Sequence, residues 1–434
     1  MDIRDPIHGS ISLSPIEQIL TDSPYLQRLR SIKQLGFSEL TFPGASHSRF
    51  LHSLGAMQLA GQAFDAVFRE ATWLPAVERA RLRQTIRLAT LCHDLGHPPL
   101  SHSSEMLLPT LHELNLPGFH ARDLTIQADH EHMTLKMLLD SGLTDLLNRA
   151  GAPLGIEARH VAALLNDDVE CPPEVFQIGA RSVHHLLSAL ASSELDVDRM
   201  DYLLRDSYFT GVSYGKFDSD WLIAHLGHDD PPSGALHLTL DDRAIFTFDD
   251  FLLSRHHMFL MVYFHKKSVC YDHMLRHFYR DYPDLCRAPA DPEAYLELDD
   301  HSVWQALRQK EHESPWAAGI SRRQPLHVLV EHTPTDRPEP MNAVIERLQE
   351  AGIRHLHVHS QGTLSKYRPD DAARQIYVRK QPVVGDPYFL PLAEATRLYA
   401  RYADATVLER LYVPAENMEQ AAQWLVELRK QQGL

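Results

Sequence analysis

The chain has 434 residues, of which 44% are hydrophobic, and its formal net charge is -16. That length and apolar content allow one large core or two modest ones, as in a globular protein. Because 42 Lys and Arg stand against 58 Asp and Glu, nonspecific duplex binding is excluded as the main activity, and nucleic acid is at most a secondary partner. The polar start from Met1 to Ser10 and the lack of any apolar run of about 18 residues predict a cytoplasmic protein that uses no membrane.

Helical patterns fill most of the chain after a turn or short hairpin at Asp5 to Gly9. The spacing of apolar residues predicts helices over 16–36, with Gly36 as its C-cap, and over 49–68, 75–93, 130–141, 157–166, 181–205 and 247–281. Beyond residue 285, strand-like patterns at 325–331, 354–359 and 375–380 alternate with helical patterns at 389–401 and 414–432. This order predicts a mainly α fold, with a helical core over 1–315 and a small C-terminal α+β lobe over 316–434.

One stretch, Leu91 to His102, concentrates residues that bind metals. Gly96 and Pro98 stop the helix that precedes them, so His93 and Asp94 should lie on its last turn. Adjacent residues there point about 100° apart, so one ion beside the helix end can be reached by both side chains. A His-Asp pair alone is a weak signal, and it needs partners from other helices.

Two such partners are His52 and Asp198, which also lie on predicted helices. A divalent transition metal bound by two neutral imidazoles and two carboxylates keeps a small net charge and has positions free for water or a phosphate oxygen. We therefore predict a metal site formed by His52, His93, Asp94 and Asp198. A further candidate to complete the site is His130, on another predicted helix.

The residues around these positions closely resemble the HD-domain deoxynucleoside triphosphate triphosphohydrolases, and most closely the type that also carries a SAM domain. The resemblance rests on residues 27–36, 42–55, 91–102 and 196–206, and the SAM domain itself has no counterpart in this sequence. It implies that the helical core is an HD domain that holds one catalytic Fe, Mn or Zn ion, with Mg on the nucleotide phosphates. In that family, water attacks the α-phosphate of a deoxynucleoside triphosphate and releases deoxynucleoside and triphosphate.

The resemblance also implies a role for each matching residue. Asp198 would be both metal ligand and catalytic residue, His130 would donate a proton to the leaving 5′ oxygen, and His102 would lie near the α-phosphate. The implied phosphate-binding residues are Arg49, Arg199 and Arg255, and the implied deoxyribose-binding residues are Gln34, Leu35, Tyr202, Asp206 and Tyr263. These roles are physically reasonable because arginines and a metal neutralise transition-state charge, and a closed sugar pocket excludes a 2′-hydroxyl.

An activator site between subunits is implied by the same resemblance. Positions that read a guanine nucleotide, GTP or dGTP, match Asp22, Gln27 and Arg30, and Arg323 falls on a basic position of that site. Trp221 and Asp241 stand where the family has activator-binding arginines, which argues against a second, deoxynucleotide activator. The resemblance further implies a homo-oligomer, a tetramer or a dimer.

Other functions stay open beside this interpretation. An HD phosphohydrolase could cleave another nucleotide or the ends of single-stranded DNA, and a nucleotide-sensing regulator could bind without turnover. Oxygen chemistry at a two-iron HD site is a third possibility, but it needs extra histidine ligands that the sequence does not assign. The complete set of predicted ligands together with His130 favours an enzyme, because a binding module needs no proton donor.

Several residues near these motifs are better explained without a role in the reaction. We expect His97 to hold the metal ligands in place rather than to bind a second metal. Asp196 and Asp201 should orient arginines or backbone. We expect His47, His120, His132, His184 and His185 to be surface or helix-capping residues, and Cys92, Cys171, Cys270 and Cys286 to be isolated reduced thiols.

Overall fold

A computed structural model describes residues 1–120, 123–230, 234–285, 287–333, 335–362, 375–396, 398 and 406–432. It opens with an antiparallel hairpin of strands Asp2–Asp5 and Gly9–Ser12, in which Asp5 lies opposite Gly9. Gly9 adopts φ +72°, a conformation that glycine reaches without strain. The prediction of a turn or short hairpin at this point is confirmed.

Helices make up most of the described residues, which confirms the mainly α fold class. Their bounds are Pro15–Thr21, Pro24–Arg28, Arg49–Val67, Ala76–Cys92, Leu111–Leu114, His130–Leu139, Gly142–Gly151, Ala158–Leu165, His184–Ala191, Val197–Thr210, Ser219–Ala224, Ile245–Met258, Lys266–Asp281, Pro292–Tyr295, Asp300–Gln309, Pro315–Ser321, Met341–Glu350, Leu392–Ala395 and Met418–Gln432. Within the described residues, no helix combines the length and the apolar character that crossing a bilayer requires.

The predicted single helix over 16–36 is wrong, because the helix ends at Thr21 and the next one ends at Arg28. Ser23 caps a new helix whose first residue is Pro24, and a proline at that position starts a helix but cannot continue the one before it. Gly36 is not a C-cap: it has φ +50° and begins the short 3-10 helix Gly36–Leu40. A Cβ on Gly36 would lie 2.9 Å from the Leu100 carbonyl oxygen, so the chain also passes too close for a side chain.

Two further long predictions are wrong in their continuity. The segment 181–205 is divided into the short strand Arg181–Ser182 and the helices His184–Ala191 and Val197–Thr210, because the Asp196 side chain accepts the Arg199 N–H and starts a new helix. The segment 247–281 is interrupted by the π-helical turn Phe259–Tyr263 before the last helix begins at Lys266. Apolar spacing continues through both breaks, so it could not reveal them.

The C-terminal region is a small α+β lobe, as predicted. Strand Thr406–Val413 lies between His327–His332 and Leu356–Gly362, antiparallel to both. Helices Met341–Glu350 and Met418–Gln432 cover one face of this sheet around their own apolar cluster. In the predicted helix 389–401, the first part is instead the strand Tyr388–Pro391, and residues 397 and 399–401 lie outside the described residues.

A second sheet connects sequence on both sides of residue 315. Its strands, in spatial order, are Tyr388–Pro391, Tyr377–Lys380, Leu238–Asp241 and Leu226–His228. Strand Tyr377–Lys380 runs parallel to Leu238–Asp241, a pairing that requires a long connection between them. The boundary at residue 315 stays a prediction, and the two regions pack through this sheet.

A buried ion pair fixes the first helix against the helical core. Arg87 Nε and a second guanidinium nitrogen lie 2.6 and 2.9 Å from the Glu17 carboxylate oxygens, and Glu17 is fully buried. Burial raises the pKa of Glu17, but the hydrogen bond and the charge of Arg87 lower it below the ordinary value. The carboxylate is therefore held ionised by its partner.

We expect Arg87→Ala to reduce the free energy of unfolding at neutral pH by about 3–5 kcal/mol, because it leaves a buried carboxylate without its partner. The pKa of Glu17 is lower in the folded protein than in the unfolded chain, so its ionised form stabilises the fold at pH values above the unfolded-state pKa. This stabilisation is lost as the pH falls through the folded-state pKa. The difference in unfolding free energy between Arg87→Ala and the wild type should therefore shrink at acid pH. Urea unfolding across pH measures both effects. The matched control is Arg83→Ala, which removes an exposed pair with Asp65 and should cost about 0–1 kcal/mol; equal losses would contradict the prediction.

Candidate metal centre

Residues from separate segments converge on one point of the helical core. His52 lies in helix Arg49–Val67, His93 ends helix Ala76–Cys92 with Asp94 directly after it, and Asp198 lies in the first turn of helix Val197–Thr210. His52 Nε2 is 2.9 Å from Asp198 Oδ1 and 3.2 Å from His93 Nε2, and His93 Nε2 is 3.3 Å from Asp94 Oδ1. Donors bonded at about 2.1 Å to one ion lie about 3.0 to 3.4 Å from each other. The donor atoms of His52, His93 and Asp94 lie within 4.8 Å of one another, so these three residues could hold one transition metal. Asp198 Oδ1, which is close to both imidazoles, stays the predicted fourth ligand.

Both imidazoles are fixed in the orientation that a metal ligand needs. His52 Nδ1–H donates to Asp201 Oδ2 at 2.8 Å, and His93 Nδ1–H donates to the Thr90 carbonyl oxygen at 2.7 Å. Each ring therefore presents an unprotonated Nε2 to the centre when the other nitrogen holds the proton. His52 is almost fully buried, whereas the Asp198 side chain is 34% exposed and marks the open side of the site.

Asp201 holds this arrangement from behind. Its carboxylate accepts two hydrogen bonds from Arg205 at 2.8 and 2.9 Å, and the His8 Nε2 atom lies 2.5 Å from Asp201 Oδ1. A Cβ on Gly55 would lie 1.9 Å from Asp201 Oδ1, so only glycine lets the two helices approach this closely. The sequence indicated that Asp201 orients an arginine, as it does, but gave no signal for its contacts with His52 and His8.

The electrostatics of the centre favour positive charge between the carboxylates. Burial raises the pKa of Asp94, yet the charges of Arg49, His93 and His97 hold it well below its ordinary value. Burial lowers the pKa of His52, but hydrogen bonds to Asp198 and Asp201 raise it to about 10. A metal cation satisfies the same carboxylates that otherwise favour a proton on His52.

A second group of metal-binding side chains borders the first. The His130 ring stacks on His97 with centroids 3.8 Å apart, and Glu105 Oε1 lies 2.5 Å from His130 Nδ1 and 3.1 Å from His102 Nδ1. The donor atoms of these four residues lie within 4.8 Å of each other, and His97 Nε2 is 3.3 Å from Asp94 Oδ1. The sequence analysis did not identify Glu105 as a site residue. Its position three residues after His102, one helical turn away, could have indicated that the two side chains meet.

Charge in this second group is arranged around the Glu105 carboxylate. Burial raises the pKa of Glu105, but hydrogen bonds from His102 and His130 lower it well below its ordinary value. Burial lowers the pKa of His97, and the neighbouring charges of Arg49 and His130 lower it further. The His97 ring contacts both the His130 ring and Asp94, so it lies between the His130–Glu105 pair and the candidate metal ligands.

The three predicted phosphate-binding arginines are buried, and each is paired with a carboxylate. Arg49 donates to Asp94 Oδ2 at 2.6 Å, Arg199 to Asp196 Oδ2 at 2.9 Å, and Arg255 to Glu194 Oε2 at 3.3 Å. The contact between Asp196 and Arg199 matches the role predicted for Asp196. Each guanidinium has five N–H donors, so one carboxylate partner leaves donors for phosphate oxygens.

The predicted sugar-binding residues form a wall beside the metal ligands. Tyr202 lies between His52 and Tyr263, with ring centroids 6.5 and 6.2 Å away, and the Tyr263 hydroxyl donates to Asp206 Oδ2 at 2.7 Å. On the other side, His47 Nε2–H donates to Asp206 Oδ1 at 2.7 Å. Asp206 therefore connects Tyr263 and His47 through two hydrogen bonds.

Gln34 extends the wall, since its backbone N–H donates to the His47 carbonyl oxygen, and Leu35 follows half-buried. The side-chain oxygen of Gln34 is buried and finds no hydrogen-bond partner within the described residues, so it is free for a ligand. The expectation that His47 is a surface or capping residue is wrong: it is buried and orients Asp206. His132, in contrast, caps its own helix with Asp129, as predicted.

The predicted activator residues lie in two places. The Gln27 side-chain amide donates to the Thr21 carbonyl oxygen at 2.8 Å, and Arg30 Nε donates to Gln27 Oε1 at 2.8 Å. Gln27 and Arg30 are therefore in contact, and Asp22 directly follows Thr21 in the chain. Arg323 instead lines a groove of about 870 Å³ with Leu40 and Trp304. Nucleotide binding by this set stays a prediction. Cys92, Cys171 and Cys270 are free thiols, as expected, and Cys286 lies outside the described residues.

Comparisons with known proteins show what this chain is similar to. A family model described as an HD associated region matches residues 217–340. The chain is 27% identical over 408 residues to the uncharacterized protein YwfO of Bacillus subtilis, covering 86% of this chain and 83% of that protein. It is 31% identical over 221 residues to the deoxynucleoside triphosphate triphosphohydrolase SAMHD1 of Bos taurus, covering 48% of this chain but only 36% of that enzyme.

A solved structure shares the whole fold. A hypothetical protein from Aquifex aeolicus superposes with a TM-score of 0.72 and 26% identity, covering 98% of this chain and 99% of that one. These comparisons relate part of this chain to an HD associated region and to a triphosphohydrolase.

Proposed function

We propose that this HD-type hydrolase acts on deoxynucleoside triphosphates and releases deoxynucleoside and triphosphate. The observation that carries the proposal is the meeting of two sets of residues. The first is the donor group of His52, His93 and Asp94, with Asp198 Oδ1 2.9 Å from His52 Nε2, and the second is the pair of tyrosines beside it, Tyr202 and Tyr263. The likeness to the cattle enzyme over about half of this chain supports the same substrate.

Metal held by His52, His93, Asp94 and Asp198 would polarise a phosphate oxygen and lower the pKa of water, as Fe, Mn or Zn can. Arg49, Arg199 and Arg255 would bind phosphate oxygens through the donors that their carboxylate partners leave free. His130 would protonate the leaving 5′ oxygen, and Glu105 would hold its ring in place through Nδ1. Mg would accompany the nucleotide phosphates.

The sugar side of the site gives the proposal its preference for deoxynucleotides. Tyr202 and Tyr263 would pack against the deoxyribose, while Asp206 is already bonded to Tyr263 and His47. A 2′-hydroxyl placed against these rings would lose water without gaining a partner, and an unpaired buried hydroxyl costs about 1–3 kcal/mol. We therefore expect deoxynucleoside triphosphates to be cleaved about 10- to 100-fold faster, as kcat/KM, than ribonucleotides.

Product analysis tests the proposal directly. Purified protein is incubated with each of the four deoxynucleoside triphosphates, alone and mixed, with and without GTP, in manganese or iron, and the products are separated by anion-exchange chromatography. We expect deoxynucleoside and triphosphate in equal amounts. Pyrophosphate or monophosphate products, or cleavage of single-stranded DNA ends alone, would identify a different HD phosphohydrolase. Binding without turnover would favour a nucleotide sensor.

The same assay tests the activator site. We propose that GTP or dGTP binds at Asp22, Gln27 and Arg30, with Arg323 contributing from another subunit of a homo-oligomer. Turnover that rises with GTP in the wild type but not in Arg30→Ala would support this site. Turnover that ignores GTP in both proteins would remove it and leave the catalytic proposal intact.

A further inference from the structure

The C-terminal lobe carries a further cluster of ligand-type side chains, formed by residues that belong to neither of the two groups in the helical core. His357 and His359 lie on strand Leu356–Gly362, and Glu409 lies on the adjacent strand Thr406–Val413. Glu409 is the register partner of His359 on one side and of His332 on the other. Directly opposed residues point to the same face of a sheet, and His357, two positions from His359, shares that face.

The side chains of this cluster meet at the Glu409 carboxylate. Glu409 Oε1 is 2.6 Å from His357 Nε2 and 3.7 Å from His359 Nε2, and the donor atoms of these three residues lie within 4.8 Å of each other. On the other side, His332 Nδ1 is 3.8 Å from Glu409 Oε2. An ordinary ion pair would explain the contact between His357 and Glu409. It does not explain why the imidazoles of His359 and His332 also face the same carboxylate.

The cluster is also accessible. The His359 side chain is 59% exposed, and those of His357 and Glu409 are 27% and 23% exposed, so an ion can reach all three. Two imidazoles in a His-x-His pair on a strand, with a facing carboxylate, form a donor set that suits Zn²⁺ and similar borderline cations. Mg²⁺ and Ca²⁺ prefer all-oxygen sites and fit it poorly.

We propose that His357, His359 and Glu409 bind a divalent transition metal of the zinc class, separate from the catalytic metal. Water completes the coordination, and His332 supports the carboxylate from its other side. The ion joins strands Leu356–Gly362 and Thr406–Val413, and it therefore stabilises the lobe rather than taking part in hydrolysis.

Zinc binding by the full chain tests this site. Protein stripped with a chelator is titrated with Zn²⁺ against a chromophoric chelator, and bound zinc per chain is counted. The double variant His357→Ala with His359→Ala should bind one equivalent fewer than the wild type. His327→Ala, which removes an exposed histidine of the same sheet outside the cluster, should bind as the wild type does. Equal zinc in the double variant and the wild type would overturn the proposal.

Two further measurements keep the test independent of the catalytic site and of folding. The variant His93→Ala with Asp94→Ala should keep the C-terminal equivalent, and its loss there would count against a separate site. Wild-type crystals soaked in Zn²⁺ should give an anomalous peak at the zinc edge between His357, His359 and Glu409. No peak at that position would overturn the proposal even if the alanine variant did not fold.

Discussion

Replacing Asp198 by alanine is expected to abolish both bound metal at the catalytic centre and turnover, and the double change His93→Ala with Asp94→Ala should do the same. Asp198 Oδ1 is the carboxylate oxygen closest to His52 Nε2, and Asp94 and His93 supply two more donors of the set. Without either group the ion loses at least one ligand and the charge that balances it. Metal analysis of the purified protein, together with the product assay, measures both losses.

A graded variant separates ligand loss from loss of support. Asp201→Asn keeps all four ligands but weakens the hydrogen bond that fixes the His52 ring, so metal affinity should fall by about 10- to 100-fold without vanishing. The control is Asp250→Ala, an exposed aspartate that should leave metal content and rate unchanged. Full activity in Asp198→Ala would remove the proposed mechanism.

The second large effect concerns proton transfer. His130→Ala is expected to keep metal and nucleotide binding but to lose about 100- to 10,000-fold in kcat, the range that a positioned acid contributes. His130 shares no close contact with the four metal ligands in the described contacts, and Glu105 holds its Nδ1 side. Steady-state kinetics with saturating metal should therefore show a fall in kcat at nearly constant KM.

Glu105→Gln should reproduce part of this loss, because in the proposed mechanism the Glu105 carboxylate, 2.5 Å from His130 Nδ1, orients the ring that donates the proton. His132→Ala, on the same helix and two residues away, removes a helix cap and should leave kcat unchanged while lowering stability slightly. Equal losses of nucleotide binding and rate in His130→Ala would show that His130 binds substrate rather than donating a proton.

Local pattern predicted much of the fold. Apolar spacing identified helices Arg49–Val67, Ala76–Cys92, His130–Leu139 and Ala158–Leu165 to within a few residues. It failed at 16–36 and 181–205, where a proline or a capping aspartate starts a new helix inside a continuous apolar pattern. Apolar periodicity shows which face of a helix is buried. It does not show where one helix ends and another begins, because the apolar spacing can continue across the break.

The sequence by itself determined the residue types of the proposed metal site, because His52, His93, Asp94 and Asp198 form a chemically sensible group before any folding is considered. Only the tertiary structure decided what supports them. Glu105 meets His130 across 25 residues, His47 meets Asp206 across 159, and His8 meets Asp201 across 193. Those contacts are set by how helices and the hairpin pack in three dimensions, and neither periodicity nor spacing along the chain carries that information.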